Sequence, residues 1–205
     1  MNLENYYWWF DSIIPHRVWD EIIKYGLSFK QQLAVTGDYQ NKKQLTDEDK
    51  EKLKVQRDSY VNFLHDTWIY NEINPFIHTA NQSAGWNFQW SVSEACQFTK
   101  YALNQHYDWH CDAFPQPYTE PYWRKGLIRK LSVIVALSDS SEYEGGELEF
   151  DFKNKSKKEI VVCNQIKNKG SIVVFPSFVW HRVKPVTKGL RYSLVAWNLG
   201  QPYVW

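Results

Sequence analysis

Tyr101-Ala-Leu-Asn-Gln-His-Tyr-Asp-Trp-His-Cys-Asp112 is the stretch around which the rest of the 205-residue chain is read. In an extended strand alternate side chains share a face, so His110 and Asp112 point the same way and Cys111 points away. An imidazole beside a carboxylate is two parts of a three-donor face. His181, much later in the chain, would complete it as a 2-His-1-carboxylate arrangement, which holds ferrous iron by three positions and leaves three open. The pattern occurs twice, because His106 and Asp108 stand about 13 Å earlier on the same face of a regular strand. Position favours the second pair. Ala113-Phe-Pro-Gln-Pro117 cannot continue a central strand, so His110 and Asp112 fall at a strand end, where sites open to solvent.

A chain of this length is expected to fold as one domain over 1–205. Lys plus Arg number 24 against 23 Asp plus Glu, so no net field attracts nucleic acid or an anionic membrane. Cys96, Cys111 and Cys163 are odd in number and share no metal-type spacing, which points to a reducing, cytoplasmic setting without a disulfide framework. The N-terminus shows no basic region followed by an apolar run, and no window approaches a membrane span. Eleven Trp suit both a small core and a ligand-lining surface, since Trp buries a large area and keeps a polar handle.

Residues 1–85 read as mainly helical. Val18, Trp19, Ile22, Ile23 and Leu27 recur at helical spacing behind Pro15, which suits a first turn, so a helix is predicted over His16–Leu27. Phe29–Lys43 reads as a loop with extended pieces, and Thr46 with Asp49 three residues on opens a charged helix to about Gln56. Tyr60–Ser83 is dense in apolar residues with Pro75 inside, and predicts one kinked helix or two shorter ones. His65 and His78 have no partner at ligand spacing and read as ordinary histidines.

From Gly85 the pattern changes to short β-branched and aromatic runs bounded by turn residues. Strands are predicted at Trp86–Val92, Ala95–Ala102, Gln105–Cys111, Arg129–Leu137, Gly146–Phe150, Glu159–Cys163, Ser171–Phe175, His181–Lys184 and Leu190–Trp197. Helices followed by strands give an α+β layout. Pro185-Val-Thr-Lys-Gly189 predicts that the last two runs form a hairpin. Arg191 and Ser193 share one face of the final strand, and a guanidinium fork with a hydroxyl is suited to holding a carboxylate near His181.

Taken together, Tyr101-x-x-Asn104-x-x-Tyr107-x-x-His110-x-Asp112, Tyr143-Glu-Gly-Gly-Glu-Leu148, Gly170-Ser171 with Val173-Val-Phe-Pro-Ser177, His181 and Arg191-x-Ser193 resemble the 2-oxoglutarate- and Fe(II)-dependent dioxygenases of the prolyl 4-hydroxylase type. The likeness is strong over about Trp86–Trp197, and looser at Ala80-Asn81 and Trp86-Asn-Phe88, where the chain is similar to small bacterial and viral members. It implies that His110, Asp112 and His181 bind iron, that Arg191 pairs with the distal carboxylate of 2-oxoglutarate, and that Ser193 and Tyr101 hydrogen-bond the same group. It also excludes His106 and Asp108 as ligands. The implied fold is a double-stranded β-helix, a jelly roll over 86–205 with N-terminal helices buttressing one sheet. The implied reaction consumes O2 and 2-oxoglutarate, releases succinate and CO2 and hydroxylates an unactivated C–H bond, with ascorbate as an accessory reductant. Two positions depart from the pattern. The family often has Gly where Asn104 stands, and collagen-modifying members have Lys where Arg191 stands, so a collagen-like substrate is not implied.

A peptide or protein prolyl residue is the leading substrate expectation. A small molecule or free amino acid, nucleic-acid demethylation and a catalytically inactive jelly-roll binding module are the alternatives. Ala113–Gly126 leaves directly from Asp112 with three Pro, too many for a strand or helix, and carries Phe114, Tyr118, Tyr122 and Trp123. Long loops of this kind are often lids. These four aromatics, with Tyr107, are the candidate substrate contacts of a loop that folds over the iron and grips an extended peptide.

Overall fold

Pro15 stands at the N-cap of α1 (His16–Ser28) in a computed structural model that describes residues 3–36, 39, 42, 44–152 and 160–203. α1 buries Val18, Trp19 and Ile22 on the sheet side, as the spacing predicts. It also buries Gly26, where a Cβ would lie 2.5 Å from the Phe98 ring, so the absence of a side chain sets how closely helix and sheet approach. α2 (Asp47–Gln56) opens at Thr46 with reciprocal capping. The Thr46 hydroxyl accepts from the Asp49 amide at 3.2 Å, and the Asp49 carboxylate accepts from the Thr46 amide at 3.1 Å. α2 buries only Leu53 and is otherwise solvated. α3 (Thr67–Ser83) keeps Pro75 inside and buries Ile69, Ile73, Ile77 and Ala80 along one stripe. Among the described residues no helix is long and apolar enough to cross a membrane.

Two antiparallel sheets form the jelly roll. The larger has the order β1 (Trp8–Phe10), β12 (Ile172–Pro176), β8 (Ile128–Ala136), β15 (Arg191–Gly200), β6 (Cys96–Tyr101), β4 (Tyr60–Leu64) and β2 (Gln32–Leu33), with β5 (Val92–Ser93) paired to β15. The smaller runs β11 (Ile160–Val162), β10 (Leu148–Asp151), β13 (Trp180–Val183), β7 (His106–His110) and β3 (Arg57–Asp58). β14 (Val186–Gly189) and β9 (Tyr143–Gly145) pair separately. The apolar runs of β8 and β12 are continuous because both their faces are covered. Leu131, Val133, Val135, Ile172 and Val174 pack with α1 and α3. Ile134, Ala136, Val173 and Phe175 pack with Leu148, Phe150 and Val183 between the sheets.

Several expectations are corrected. Tyr60–Leu64 is a strand, not the start of a helix. It gives β6 its partner, and its Asn62 amide donates to the Gly26 carbonyl at 2.8 Å, so the helix begins only after Asp66. Of the run Trp86–Val92 only Val92 is in a strand. The Asn81 side chain bonds both the amide and the carbonyl of Phe88, each at 2.9 Å, and so takes the place of a ladder. Short strands β1, β3, β9 and β14 carry no pattern that announces them. The 113–126 segment is not wholly irregular, because Tyr122–Arg124 closes one 3₁₀ turn. The predicted strand start at Glu159 lies outside the described residues, as does part of the Phe29–Lys43 loop.

The expected hairpin is absent. Pro185 ends pairing after β13, β14 joins β9, and the chain then enters the larger sheet as β15. His181 and Arg191 therefore stand on different sheets. β7 is also irregular, since His181 pairs with His110 while Val183 pairs with Tyr107. Two steps of β13 oppose three of β7, which is a bulge that reverses the side-chain alternation. Tyr107 and His110 thus come to one side. His106 does not share that side, and its ring meets the carbonyls of Asn104 and Val55 at 3.3 and 3.2 Å, while Asp108 is exposed.

Candidate metal and co-substrate site

β7 and β13 place His110 and His181 directly opposite each other, and Asp112 follows two residues past the end of β7. The amides of Asp112 and Ala113 both donate to the Ser177 carbonyl at 2.9 Å, which holds the chain as it leaves the strand. Nδ1 of His110 meets the Asp108 carbonyl at 2.8 Å and Nδ1 of His181 meets the Val179 carbonyl at 3.0 Å. Carbonyls only accept, so both Nδ1 atoms carry the proton and both Nε2 lone pairs are left for a metal. Those Nε2 atoms lie 3.8 and 3.6 Å from the Asp112 carboxylate. All three donors fall within 4.8 Å of one another. Neighbouring ligands of an octahedral ion with bonds near 2.1 Å stand about 3 Å apart, so donors within 4.8 Å of one another close onto one ion with a contraction of less than about 2 Å.

Charge in the pocket favours that use. Burial and the neighbouring His181 push the His110 imidazole well below its ordinary value, so it is neutral at physiological pH. Burial works against ionisation at Asp112, yet His181, His110, Arg129 and the hydrogen bond from Ser132 together hold its carboxyl down at about 2. Ser132 donates to Asp112 Oδ2 at 2.7 Å and shares a 2.9 Å bond with Ser177. The sequence reading gave neither serine a role. The available signal was a hydroxyl inside otherwise apolar buried runs, which has to find a partner.

The three donors line a cavity together with Tyr101, Tyr107, Arg191, Ser193 and Arg57. Arg191 is 3% exposed, pairs across the ladder with Tyr101, and its Nη1 donates to Ser193 Oγ at 3.5 Å. Among the described residues no carboxylate forms an ion pair with it. A buried guanidinium without an anion is costly to maintain, so the part of this cavity beside Arg191 suits an anionic group. Tyr107 stacks on His110 with ring centroids 3.5 Å apart, and burial pushes its phenol up to about 12.

Outward, the cavity opens into a groove lined by Val35, Thr36, Phe63, Phe114, Arg129 and Trp197. Phe63, Arg129 and Trp197 also line its continuation past Leu33, Val61 and Trp123. Arg129 lies 4.0 Å over the Trp197 ring, and its Nε donates to Glu94 at 2.8 Å. Burial opposes its charge, but Glu94 keeps it raised above the ordinary value. Of the loop aromatics, Phe114 is at the mouth and Trp123 at the outer end. Tyr118 packs within the loop, against Phe114 and under Arg124. Tyr122 is 94% exposed and lines neither the cavity nor the groove.

Comparison with known proteins agrees with this geometry. The solved structure of a Pseudomonas putida prolyl-4-hydroxylase matches with a TM-score of 0.68 at 15% identity, covering 97% of this chain and 95% of that one, a likeness of fold. A PKHD-type hydroxylase of Pseudoalteromonas atlantica is 34% identical over 102 residues, 49% of this chain and 41% of that protein. Another, from Prochlorococcus marinus, is 29% identical over 150 residues, 72% of this chain and 58% of that protein. The chain thus spans about half the length of the curated relatives it matches. The family model of the 2OG-Fe(II) oxygenase superfamily matches residues 96–198, half of the chain, including every donor of the site. The chain belongs to the 2OG-Fe(II) oxygenase superfamily.

Proposed function

We propose that the protein is an Fe(II)- and 2-oxoglutarate-dependent dioxygenase that hydroxylates an unactivated C–H bond, with a prolyl residue of a peptide or protein as its substrate. The observation that carries this reading is one cavity holding both the His110, Asp112, His181 donor set and the buried Arg191 without an anion. His110, Asp112 and His181 hold the iron. Arg191, with Ser193 and Tyr101, holds the distal carboxylate of 2-oxoglutarate. Bound iron, 2-oxoglutarate and O2 supply the oxidising power, in which one oxygen atom ends in succinate, formed with CO2, and the other in the hydroxylated product.

The chain's own work is placement and exclusion. Ser132 and Ser177 fix the carboxylate of Asp112, the two backbone carbonyls fix the imidazole tautomers, and the aromatic mouth restricts water. An extended substrate fits the long groove from Phe114 to Trp123 better than a compact one. The names of the solved neighbour and of the PKHD-type relatives support hydroxylation, and the first supports proline. In this reading the chain acts as one catalytic domain rather than as helical support over 1–85 beside a separate jelly roll over 86–205, supported by strands β1–β4, which join the two sheets, and by the shared core of α1, α3 and the larger sheet. The buried Cys96 and Cys163 thiols suit a reducing cytoplasm, and ascorbate serves as accessory reductant.

Incubation with Fe(II), 2-oxoglutarate, ascorbate and a proline-containing peptide library, read by mass spectrometry, tests the substrate. A gain of one oxygen mapped to proline is expected. Succinate formation that no peptide stimulates would overturn the peptide substrate while leaving the reaction class in place.

A further inference from the structure

The bond from Nδ1 of His110 to the Asp108 carbonyl at 2.8 Å ties one ring atom and does not by itself fix the plane of the imidazole. Face contact limits the tilt. The Tyr107 ring lies 3.5 Å away and only 12° from parallel. Tyr107 is itself backed, with Arg57 Cζ 4.4 Å from its ring centroid. Two groups cannot both stand over one face of a ring at these distances, so Arg57 covers the face opposite His110. The result is a three-layer stack of guanidinium, phenol and imidazole.

Arg57 is anchored for this task. β3 pairs with β7 in the register that sets Arg57 opposite Tyr107, and Arg57 Nε donates to Ser59 Oγ at 3.0 Å. The residue is 5% exposed, and its Nη2 is buried with no hydrogen-bond partner. The Tyr107 face is thus a main compensation for its charge, and a desolvated guanidinium holds an aromatic face more strongly than an exposed one. β3 lies outside the matched 96–198 stretch.

We propose that Arg57 is a positioning residue of the metal site: by pressing Tyr107 onto His110 it holds the imidazole plane at the angle at which Nε2 meets the ion, so the segment ahead of the family-matched region completes the site. The proposal rests on His110 being a ligand.

Co(II) binding tests it, measured by calorimetry and by the visible spectrum of the bound ion, in the parent, Arg57→Met, Arg57→Lys, Tyr107→Leu and the Arg57→Met/Tyr107→Leu double variant. Arg57→Met is expected to weaken Co(II) by roughly ten- to hundredfold, the usual cost of an outer-shell change, and to shift the spectrum. Arg57→Lys should lose less, because an ammonium can still stand over the ring. Tyr107→Leu should lose about as much as Arg57→Met, and adding Arg57→Met to it should cost nothing further, because the coupling runs through the ring. If Arg57→Met does not fold, the same cycle is run with Arg57→Lys. Unchanged Co(II) affinity, or losses that simply add, would overturn the role of Arg57 while the parent binds the ion tightly. A parent that fails to bind Co(II) would overturn this role and the metal reading together.

Discussion

Replacing Arg191 isolates the co-substrate pocket from the metal. The side chain is 3% exposed and has no carboxylate partner among the described residues, so its charge is available to a ligand. Each hydrogen bond between charged groups contributes about 1.5–3 kcal/mol. The two bonds of one fork share a single desolvation cost, so Arg191→Ala should lose about 3 kcal/mol, roughly a 150-fold rise in the 2-oxoglutarate Kd at about 1.4 kcal/mol per tenfold. Metal affinity should change little, since Arg191 is not among the donors. Calorimetry with 2-oxoglutarate on the Co(II)-loaded protein reads the first quantity, and thermal unfolding gives an independent check. At a ligand concentration near 100 times the parent Kd the parent gains about 2.7 kcal/mol, or roughly 5–10 °C for a chain of this size. At the same concentration the variant should gain about 1 °C. Arg191→Lys should recover part of the affinity, because an ammonium keeps the charge and loses the fork. An unchanged Kd, or a parent-like thermal shift, in Arg191→Ala would refute the assignment.

Asp112→Ala should abolish metal binding and succinate release with the fold retained by circular dichroism, whereas Asp108→Ala should stay active because the bulge turns Asp108 to solvent. The reverse pattern would exchange the two pairs. Glu94→Ala strands Arg129, and removing one partner of a buried pair costs about 3–5 kcal/mol, so Tm should fall by on the order of 10 °C; a fall of a degree or less would show that water already compensates the guanidinium. Trp123→Ala should raise the peptide KM and the fraction of 2-oxoglutarate consumed without product, and Tyr122→Ala should do so far less. Equal effects would show that the loop refolds over the groove when substrate binds.

Much of the site was legible because it depends on short-range features. The proline run after Asp112 marks a strand end from the local sequence, and the alternation of β6 and the apolar runs of β8, β12 and β15 need no partner to be seen. What escaped depends on contacts distant in sequence. The β7 bulge exists only relative to β13, so parity counting along β7 alone put His106 and Asp108 on the wrong face. Tyr60–Leu64, the start of the apolar-dense run expected to be helical, instead met an edge of β6 that needed a partner. The predicted hairpin failed because a turn sequence says that the chain reverses and not which sheet receives it. Arg57 stands at the end of a solvated helix and gives no local sign of entering the cavity.

The central claim is that His110, Asp112 and His181 form an iron site at which 2-oxoglutarate is oxidised. Its most direct test is anaerobic loading of the purified protein with Fe(II) and 2-oxoglutarate, followed by exposure to O2 and quantification of succinate. The parent should form succinate in proportion to the 2-oxoglutarate consumed, only when both Fe(II) and O2 are present, and Asp112→Ala should form none. A parent that carries iron and binds 2-oxoglutarate yet yields no succinate, or an Asp112→Ala variant that matches it in yield, would contradict the account.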